Sequence, residues 1–306
     1  MKTKVDLITG FLGAGKTTFI LRYAEWLQAR GIKMAIIENE FGLAGCDGAV
    51  LREFGLSVAE LSGGCICCSL KVDFANMLAK LSGKVARIIV EPSGIFTPVD
   101  FFAVMNSPAV RRAAEVGFVA AIADSAGTDG LTEEAAAVWT AQMNAAGIVI
   151  LSRTDGMSED DIDAVVMRLH DSAPAMEKQI MTKPWPMWDD EDFSTVIRSG
   201  AETTGLSSAL LVNHATIFNS ATLAPKRLYT KAELTRRLES IMADADSGVI
   251  LRIKGAVQAE GGGQLSVNVT PSGVSVLPLR EAAMASMVNI IGRGIERKRI
   301  RTLLEE

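Results

Sequence analysis

Eight consecutive residues near the N-terminus carry the clearest chemical signal in the sequence. Residues 10–17 read Gly-Phe-Leu-Gly-Ala-Gly-Lys-Thr and match the P-loop pattern G-x-x-x-x-G-K-[ST]. Such a loop turns successive backbone N–H groups inward, toward a polyphosphate. We expect Lys16 to reach the β- and γ-phosphates and the Thr17 hydroxyl to bind Mg²⁺. The predicted phosphate-binding residues are Gly10, Gly13, Ala14, Gly15, Lys16, Thr17 and Thr18.

A P-loop also needs an acidic group to hold the magnesium ion. Glu91 is the best candidate because it directly follows the apolar run at residues 88–90, and a turn-forming Pro-Ser-Gly comes next. The alternative is an ordinary surface glutamate at the end of a strand. We predict that Lys16, Thr17 and Glu91 are catalytic, and that Thr17 and Glu91 bind the Mg²⁺.

Residues 152–155 indicate which base is bound. GTPases usually carry Asn-Lys-x-Asp after a strand, and this chain has Ser-Arg-Thr-Asp. Asp155 keeps the carboxylate that accepts hydrogen bonds from guanine, and Arg153 is able to stack over the base as a lysine stem does. Ser152 is shorter than asparagine and leaves a loop contact unmade. The pattern favours GTP, with Ser152, Arg153 and Asp155 as base-binding residues.

Cys65, Cys67 and Cys68 form the second informative cluster, with Cys46 as the fourth cysteine of the chain. Thiolates favour soft or borderline ions, so Zn²⁺ is expected first, with Cu⁺ and Co²⁺ behind it. Three cysteine ligands leave one of the four coordination positions of a tetrahedral ion open, which suits a site that transfers its ion. Glu38 and Cys46 are further candidate ligands, although Cys46 fits a core position equally well. The alternatives for the cluster are a redox pair or three small buried residues.

Most of these residues follow apolar runs that read as buried strands. Strands predicted at residues 5–8, 34–37, 85–90, 117–123 and 147–151 alternate with predicted helices, which indicates βαβ units. We therefore predict an α/β fold, a P-loop NTPase domain with a mostly parallel sheet flanked by helices. The candidate site residues follow the C-terminal ends of the strands, where open α/β sheets bind ligands.

The pattern changes in the last third of the chain. Alternating segments separated by glycine-rich turns predict an antiparallel sheet with one helix before it and one after it. Nothing in this part has a catalytic pattern. We predict a P-loop GTPase domain over residues 1–183, a linker and bridging segment over 184–222, and a small α+β domain over 223–306.

The composition limits the partners and the location. The chain has 306 residues, 48% of them hydrophobic and 22% charged, with a formal net charge of −5. An acidic chain argues against general nucleic-acid binding, and no apolar run approaches the length of a membrane span. The N-terminus leads directly into the first predicted strand, which leaves no room for a signal peptide. We expect a cytoplasmic protein with neither nucleic acid nor membrane as partner, and leave a homodimer open.

In combination, four segments give the chain a family resemblance. The P-loop, the Glu-Asn-Glu-Phe-Gly at residues 38–42, the Gly-Cys-Ile-Cys-Cys at 64–68 and the Glu-Pro-Ser-Gly at 91–94 resemble the CobW-like family of metallochaperone GTPases, relatives of the UreG and HypB nickel-insertion GTPases. Residues 251–255 and 290–294 resemble the CobW C-terminal domain.

The resemblance implies GTP hydrolysis, a Cys-x-Cys-Cys metal site and delivery of Zn²⁺ or Co²⁺ to a client metalloprotein. Two features depart from the family pattern. Ser152 and Arg153 replace Asn-Lys, and the histidine-rich tract of many members is missing, which argues against metal storage. Two alternatives stay open at this point: a GTPase activator of a corrinoid- or cobalt-dependent enzyme, and a nucleotide-gated redox-sensing module that delivers no metal.

Overall fold

The computed structural model describes residues 2–38, 58–60, 70–125, 131–172, 179–201, 218–271, 273–279 and 286–306. The chain divides into two compact units. Among the described residues, the first unit is built on a parallel sheet and the second on an antiparallel sheet.

The first unit alternates strands and helices, as predicted. Its described strands are β1 (Thr3–Gly10), β2 (Met34–Glu38), β3 (Val58–Glu60), β4 (Arg87–Glu91), β5 (Ala114–Asp124), β6 (Ile148–Ser152) and β7 (Ile180–Met181). Its described helices are α1 (Lys16–Ala29), α2 (Leu70–Leu81), α3 (Pro98–Met105), α4 (Pro108–Ala113), α5 (Glu133–Ala145), α6 (Glu159–Ser172) and α7 (Asp190–Arg198).

The strand order in this sheet is β3-β2-β4-β1-β5-β6-β7, and every neighbouring pair is parallel. The P-loop strand β1 therefore lies in the middle of the sheet, between β4 and β5. Since the carboxyl ends of parallel strands meet at one edge, Gly10, Glu38, Glu91 and Ser152 all come to that edge.

The central strands read as continuous apolar runs because both faces of the sheet are buried. In β1, Leu7 and Ile8 point to opposite faces, and both are fully buried. Ile8 belongs to a core cluster with Phe19 and Tyr23 of α1 and Phe193 of α7. The helices are thus held to the sheet by packing of their apolar faces.

A buried ionic cluster joins β1, β4 and α1. Arg87 Nη1 of β4 lies 2.6 Å from both carboxylate oxygens of Asp6 in β1, and Tyr23 of α1 donates a hydrogen bond of 3.0 Å to the same carboxylate. A Cβ added at Gly117 of β5 would lie 2.0 Å from Asp6 Oδ1, so only glycine leaves room for this carboxylate. Burial raises the pKa of Asp6, and the Arg87 guanidinium opposes that rise.

The start of the predicted linker is regular structure that packs in the first unit. Trp185–Met187 forms one turn of 3₁₀ helix, and α7 follows it with a capping box at Asp189. Phe193 and Val196 of α7 are buried in the core cluster described above. The apolar spacing within residues 188–197 is helical, and the packing of Trp188 and Phe193 on α1 explains why this stretch forms regular structure.

In its described residues, the second unit is a five-stranded antiparallel sheet with helices. Its described elements are β8 (Asn219–Leu223), α8 (Lys231–Ala243), β9 (Val249–Gln258), β10 (Gln264–Thr270), β11 (Gly273–Leu279), β12 (Met287–Arg293) and α9 (Arg297–Glu305). The strand order is β11-β10-β9-β12-β8. Apolar side chains of both helices, among them Leu238 and Ile300, pack with strand residues such as Val267 in one core. The predicted fold class, an α/β domain with a small α+β module, is confirmed.

No helix within the ranges described above has both the length and the apolar character that a bilayer crossing requires.

Candidate nucleotide-binding site

The loop between β1 and α1 has the backbone conformation of a phosphate cradle. Gly10, Gly13 and Gly15 have φ values of 143°, 79° and 102°, a region that favours glycine. A Cβ added at Gly10 would lie 2.5 Å from the carbonyl oxygen of Ile122, so β5 approaches too closely for a side chain there. The glycine spacing of the motif is therefore required by the geometry of this loop.

Lys16, the first residue of α1, lies over the loop. Its side chain is buried, and Nζ donates hydrogen bonds of 3.1 Å and 3.3 Å to the carbonyl oxygens of Gly10 and Phe11. The buried ammonium is held at the loop, close to backbone N–H groups at the N-terminus of α1. Both features attract phosphate oxygens.

Thr17 and Glu91 meet next to the loop. The Thr17 hydroxyl donates a 2.7 Å hydrogen bond to Glu91 Oε1, and the Glu91 side chain is buried at the end of β4. A hydroxyl and a carboxylate are hard oxygen donors of the kind that Mg²⁺ prefers. The residues predicted to bind Mg²⁺ therefore fit that ion in chemistry and in proximity.

Glu38 lies beside this pair. It ends β2 as the register partner of Glu91 in the parallel ladder, and its side chain is also buried. On the other side, Glu38 is the register partner of Glu60 in β3. Three acidic residues therefore end three neighbouring strands at the edge of the sheet where the P-loop lies.

The turn after Glu91 packs directly on the P-loop. A Cβ added at Gly94 would lie 2.5 Å from the backbone nitrogen of Leu12. Gln142 of α5 is fully buried, and its amide donates hydrogen bonds of 3.0 Å and 2.9 Å to the carbonyl oxygens of Gly94 and Phe96. Helix α5 thus holds this turn against the loop that carries Lys16.

The three residues predicted to bind the base follow one another at the end of β6. The Ser152 hydroxyl is buried and donates to the carbonyl oxygen of Ala123 at 3.2 Å. Arg153, with a positive φ of 60°, donates from Nη2 to the carbonyl oxygen of Gly13 at 2.9 Å, and its Nη1 lies 3.1 Å from the Asp124 carboxylate. Asp155 is exposed. Arg153 therefore joins the end of β6 to the P-loop.

Four predicted metal-site residues, Cys46, Cys65, Cys67 and Cys68, lie outside the described residues. Of the predicted metal ligands, Glu38 is described, as are the Mg²⁺ candidates Thr17 and Glu91. Within the described ranges no three His, Cys, Asp or Glu side chains are grouped in a way that would hold a metal ion.

Two residues at this edge were not predicted from the sequence. Gln142 is the one buried glutamine of an otherwise apolar helix face, and that polar residue among apolar neighbours was an available signal. Trp185 was interpreted as a linker residue. It packs edge-on against Phe19 of α1, with the ring centroids 5.8 Å apart, and its ring also reaches Gly15 of the P-loop.

The sequence of this chain matches the model of a known protein family. The model of the CobW/HypB/UreG nucleotide-binding domain matches residues 4–180, which is more than half of the chain. That range contains the P-loop, the turn after β4 and the residues at the end of β6.

The chain is also similar to individual proteins. The chain is 33% identical over 194 residues to "Zinc chaperone CobW" of Sinorhizobium sp., a match covering 54% of each chain. It is 26% identical over 171 residues to "Zinc-regulated GTPase metalloprotein activator 1" of Schizosaccharomyces pombe, covering 53% of this chain and 41% of that one. The chain thus spans about half the length of these curated relatives, or less. The crystal structure of Zn(II)-bound YjiA GTPase from E. coli matches with a TM-score of 0.43 and 19% identity over the full length of both chains.

Proposed function

This chain belongs to the CobW/HypB/UreG family, and on that premise we propose that it is a metallochaperone that hydrolyses GTP. In this proposal it binds Zn²⁺ or Co²⁺ at Cys65, Cys67 and Cys68 and delivers the ion to a client metalloprotein in the cytoplasm. Metal binding and release depend on the nucleotide state. The names of the curated relatives, a zinc chaperone and a zinc-regulated GTPase activator, support this assignment.

The observation that carries the proposal is the contact between Thr17 and Glu91 beside the P-loop. In the proposal these two residues hold Mg²⁺, which when bound neutralises phosphate charge as a Lewis acid. Lys16 and the backbone N–H groups of the loop bind the phosphate oxygens and orient the γ-phosphoryl group for attack by water. The bond from the γ-phosphorus to the bridging oxygen breaks, which yields GDP and inorganic phosphate.

The residues after β6 support guanine as the base. Asp155 presents an exposed carboxylate that is able to accept hydrogen bonds from the guanine edge, as the aspartate of Asn-Lys-x-Asp does. Arg153 is fixed to the P-loop carbonyl of Gly13. This contact places its guanidinium beside the phosphate-binding loop, where its stem is able to lie against a bound nucleoside.

Coupling between nucleotide and metal is supported by the positions of Glu38 and Glu91. The three cysteines lie between these glutamates in the sequence, and the glutamates are register partners at the edge of the sheet. Glu91 in turn is hydrogen-bonded to Thr17. We infer that loss of the γ-phosphate loosens these contacts and lowers metal affinity.

The test measures Zn²⁺ affinity of the full chain with a non-hydrolysable GTP analogue and with GDP, together with GTP turnover. We expect tighter Zn²⁺ binding with the analogue, and loss of tight binding in the triple variant Cys65→Ser, Cys67→Ser, Cys68→Ser with nucleotide affinity retained. Equal Zn²⁺ affinities in the two nucleotide states would contradict the proposed coupling between nucleotide and metal binding. Protein purified without chelator and free of metal would favour the redox-sensing alternative, and a preference for Co²⁺ would favour a cobalt client.

A further inference from the structure

We propose that Trp185 is a positioning residue of the nucleotide site. Its indole fills space left by the short Ser152 side chain and supports the P-loop at Gly15, which sets nucleotide affinity. This inference deepens the proposed function and rests on it, because the nucleotide bound at this loop is taken to be GTP or GDP.

Three residues from three segments meet at one point. A Cβ added at Gly15 would lie 3.3 Å from Cη2 and 3.6 Å from Cζ2 of Trp185, and 3.8 Å from Cβ of Ser152. Gly15 is the residue on which helix α1 begins, immediately before Lys16 and Thr17. The indole therefore packs on the turn that aims the phosphate-binding N–H groups.

The types of residue at positions 152 and 185 fit each other. The Ser152 hydroxyl is directed to the carbonyl oxygen of Ala123 in β5, so this short side chain makes its hydrogen bond to the sheet. An asparagine at this position would have a longer side chain that ends in a larger amide group. Here the aromatic ring of Trp185 occupies the neighbouring space beside Gly15. We infer that an asparagine at position 152 would compete with the ring for that space.

The backbone around Trp185 is restrained, so the ring is held in place. Pro184 and Pro186 flank Trp185 and restrict the backbone on both sides. The backbone N–H of Trp188 donates to the carbonyl oxygen of Trp185 at 3.1 Å, and Trp188 Nε1 donates to the carbonyl oxygen of Lys183 at 2.8 Å. The Trp185 ring also packs edge-on against Phe19 at an interplanar angle of 68°. Such a ring is a fixed support for the loop.

The test is a double-mutant cycle on GDP and GTP affinity in the full chain. We expect Trp185→Ala to weaken nucleotide binding about tenfold, the effect of losing one well-packed aromatic contact. Ser152→Asn should also weaken binding, because its amide meets the indole. In the double variant the amide occupies the vacated space, so affinity should recover to a value above that of either single variant.

A purely structural role for Trp185 predicts a different result. It would lower the thermal stability of Trp185→Ala and of the double variant. The effects of Trp185→Ala and Ser152→Asn on nucleotide affinity would then add. Additive effects, or unchanged affinity in Trp185→Ala, would overturn the inference. The control is Trp188→Phe, which alters a tryptophan of the same segment that packs on Phe19. If Trp185→Ala does not fold, Trp185→Leu replaces it in the cycle. Wild-type protein that binds no guanine nucleotide would refute the proposed function itself.

Discussion

At the scale of single residues, the proposed site depends on side chains that hydrogen bonds hold in place. Lys16 Nζ donates a hydrogen bond to a loop carbonyl oxygen, and the Glu91 carboxylate accepts a hydrogen bond from the Thr17 hydroxyl. Side chains with fixed positions lose little conformational freedom when nucleotide binds. The chemistry proposed for the chain therefore rests on a few contacts that single substitutions are able to test.

The first prediction concerns Glu91→Gln. Glutamine keeps the size of the side chain and is still able to accept the Thr17 hydrogen bond, but it lacks the negative charge that holds Mg²⁺. We expect Mg²⁺-dependent GTP turnover to fall about 10²-fold or more, with a smaller effect on GDP affinity. Turnover is measured by phosphate release at saturating GTP. Glu115→Gln, an exposed glutamate paired with Lys4, is the control and should keep full turnover. Full turnover in Glu91→Gln would exclude a role for this carboxylate.

The second prediction concerns Arg87→Ala. Removing the guanidinium leaves the Asp6 carboxylate buried without its opposite charge, so we expect a loss of about 3 kcal/mol in the free energy of unfolding near neutral pH. Burial already raises the pKa of Asp6 above its ordinary value of 3.8, and the substitution removes the charge that opposes this rise. A raised folded-state pKa gives stability that is present below pH 3.8 and is lost as the pH rises through the folded-state pKa.

The stability deficit of Arg87→Ala should therefore grow as the pH is raised from acid toward neutral. Urea unfolding of wild type and variant over that range measures it. Arg22→Ala, which removes an exposed ion pair with Glu25, serves as the control with little effect at any pH. A deficit that stays constant with pH would show that Asp6 does not titrate in the way described.

At the scale of elements, the turn after β4 and the P-loop act as one packed unit. Gly94 lies against the backbone of Leu12, and Gln142 of α5 bonds the carbonyl oxygens of Gly94 and Phe96. Helix α5 thus holds the turn that directly follows the Mg²⁺ candidate Glu91. Because the two loops pack this closely, we expect a change in one loop to displace the other.

The third prediction is that Gly94→Ala separates these two loops. The added methyl group would lie 2.5 Å from a backbone nitrogen, which a side-chain movement cannot relieve. We expect a loss of about 1–3 kcal/mol in stability from overpacking, and a greater loss of GTP turnover than of GDP affinity. Chemical unfolding and turnover assays measure both. Gly261→Ala, where nothing lies within 4 Å, is the matched control. Equal turnover in Gly94→Ala and wild type would show that the contact is not needed for hydrolysis.

At the scale of the whole molecule, the proposal requires that nucleotide and metal sites influence each other equally. If the GTP analogue raises Zn²⁺ affinity by some factor relative to the nucleotide-free protein, Zn²⁺ must raise affinity for the analogue by the same factor. The fourth prediction is this equality. It is measured by titrating the analogue with and without saturating Zn²⁺.

The variant Cys65→Ser, Cys67→Ser, Cys68→Ser is the control for this measurement. It should bind the analogue with the same affinity whether or not Zn²⁺ is present. If Zn²⁺ changed analogue affinity equally in wild type and in this variant, the ion would be acting at the nucleotide site itself, and the coupling would not involve the cysteines.

Much of this molecule was predictable from local pattern. The apolar runs predicted β1, β2, β4, β5 and β6 to within a few residues, because strands buried on both faces leave an unmistakable hydrophobic run. The antiparallel module was predicted from alternating segments separated by glycine-rich turns. The short strands β3, β7 and β8 were missed or left undecided, since two to five residues carry too little periodicity to distinguish a strand from a loop.

The packing of residues 184–198 was harder to predict. Two prolines and two tryptophans are typical of an irregular connection, and only contacts with Phe19, Trp26 and other residues of α1 show why the segment is ordered. Such contacts join positions more than 150 residues apart in the sequence. Local pattern holds no information about neighbours at that distance.

The sequence alone determined which residues are chemically able to bind phosphate, Mg²⁺ and a soft metal ion, because that ability resides in residue type and local spacing. The tertiary structure alone decided which of them are neighbours. It placed Glu38 beside Glu91 and brought the Glu91 carboxylate into hydrogen-bond contact with Thr17. It also brought Arg153 into hydrogen-bond contact with the P-loop and packed Trp185 against Gly15. The physical reason is that strand order and helix packing depend on burying apolar surface across the whole unit, a condition that no short stretch of sequence expresses.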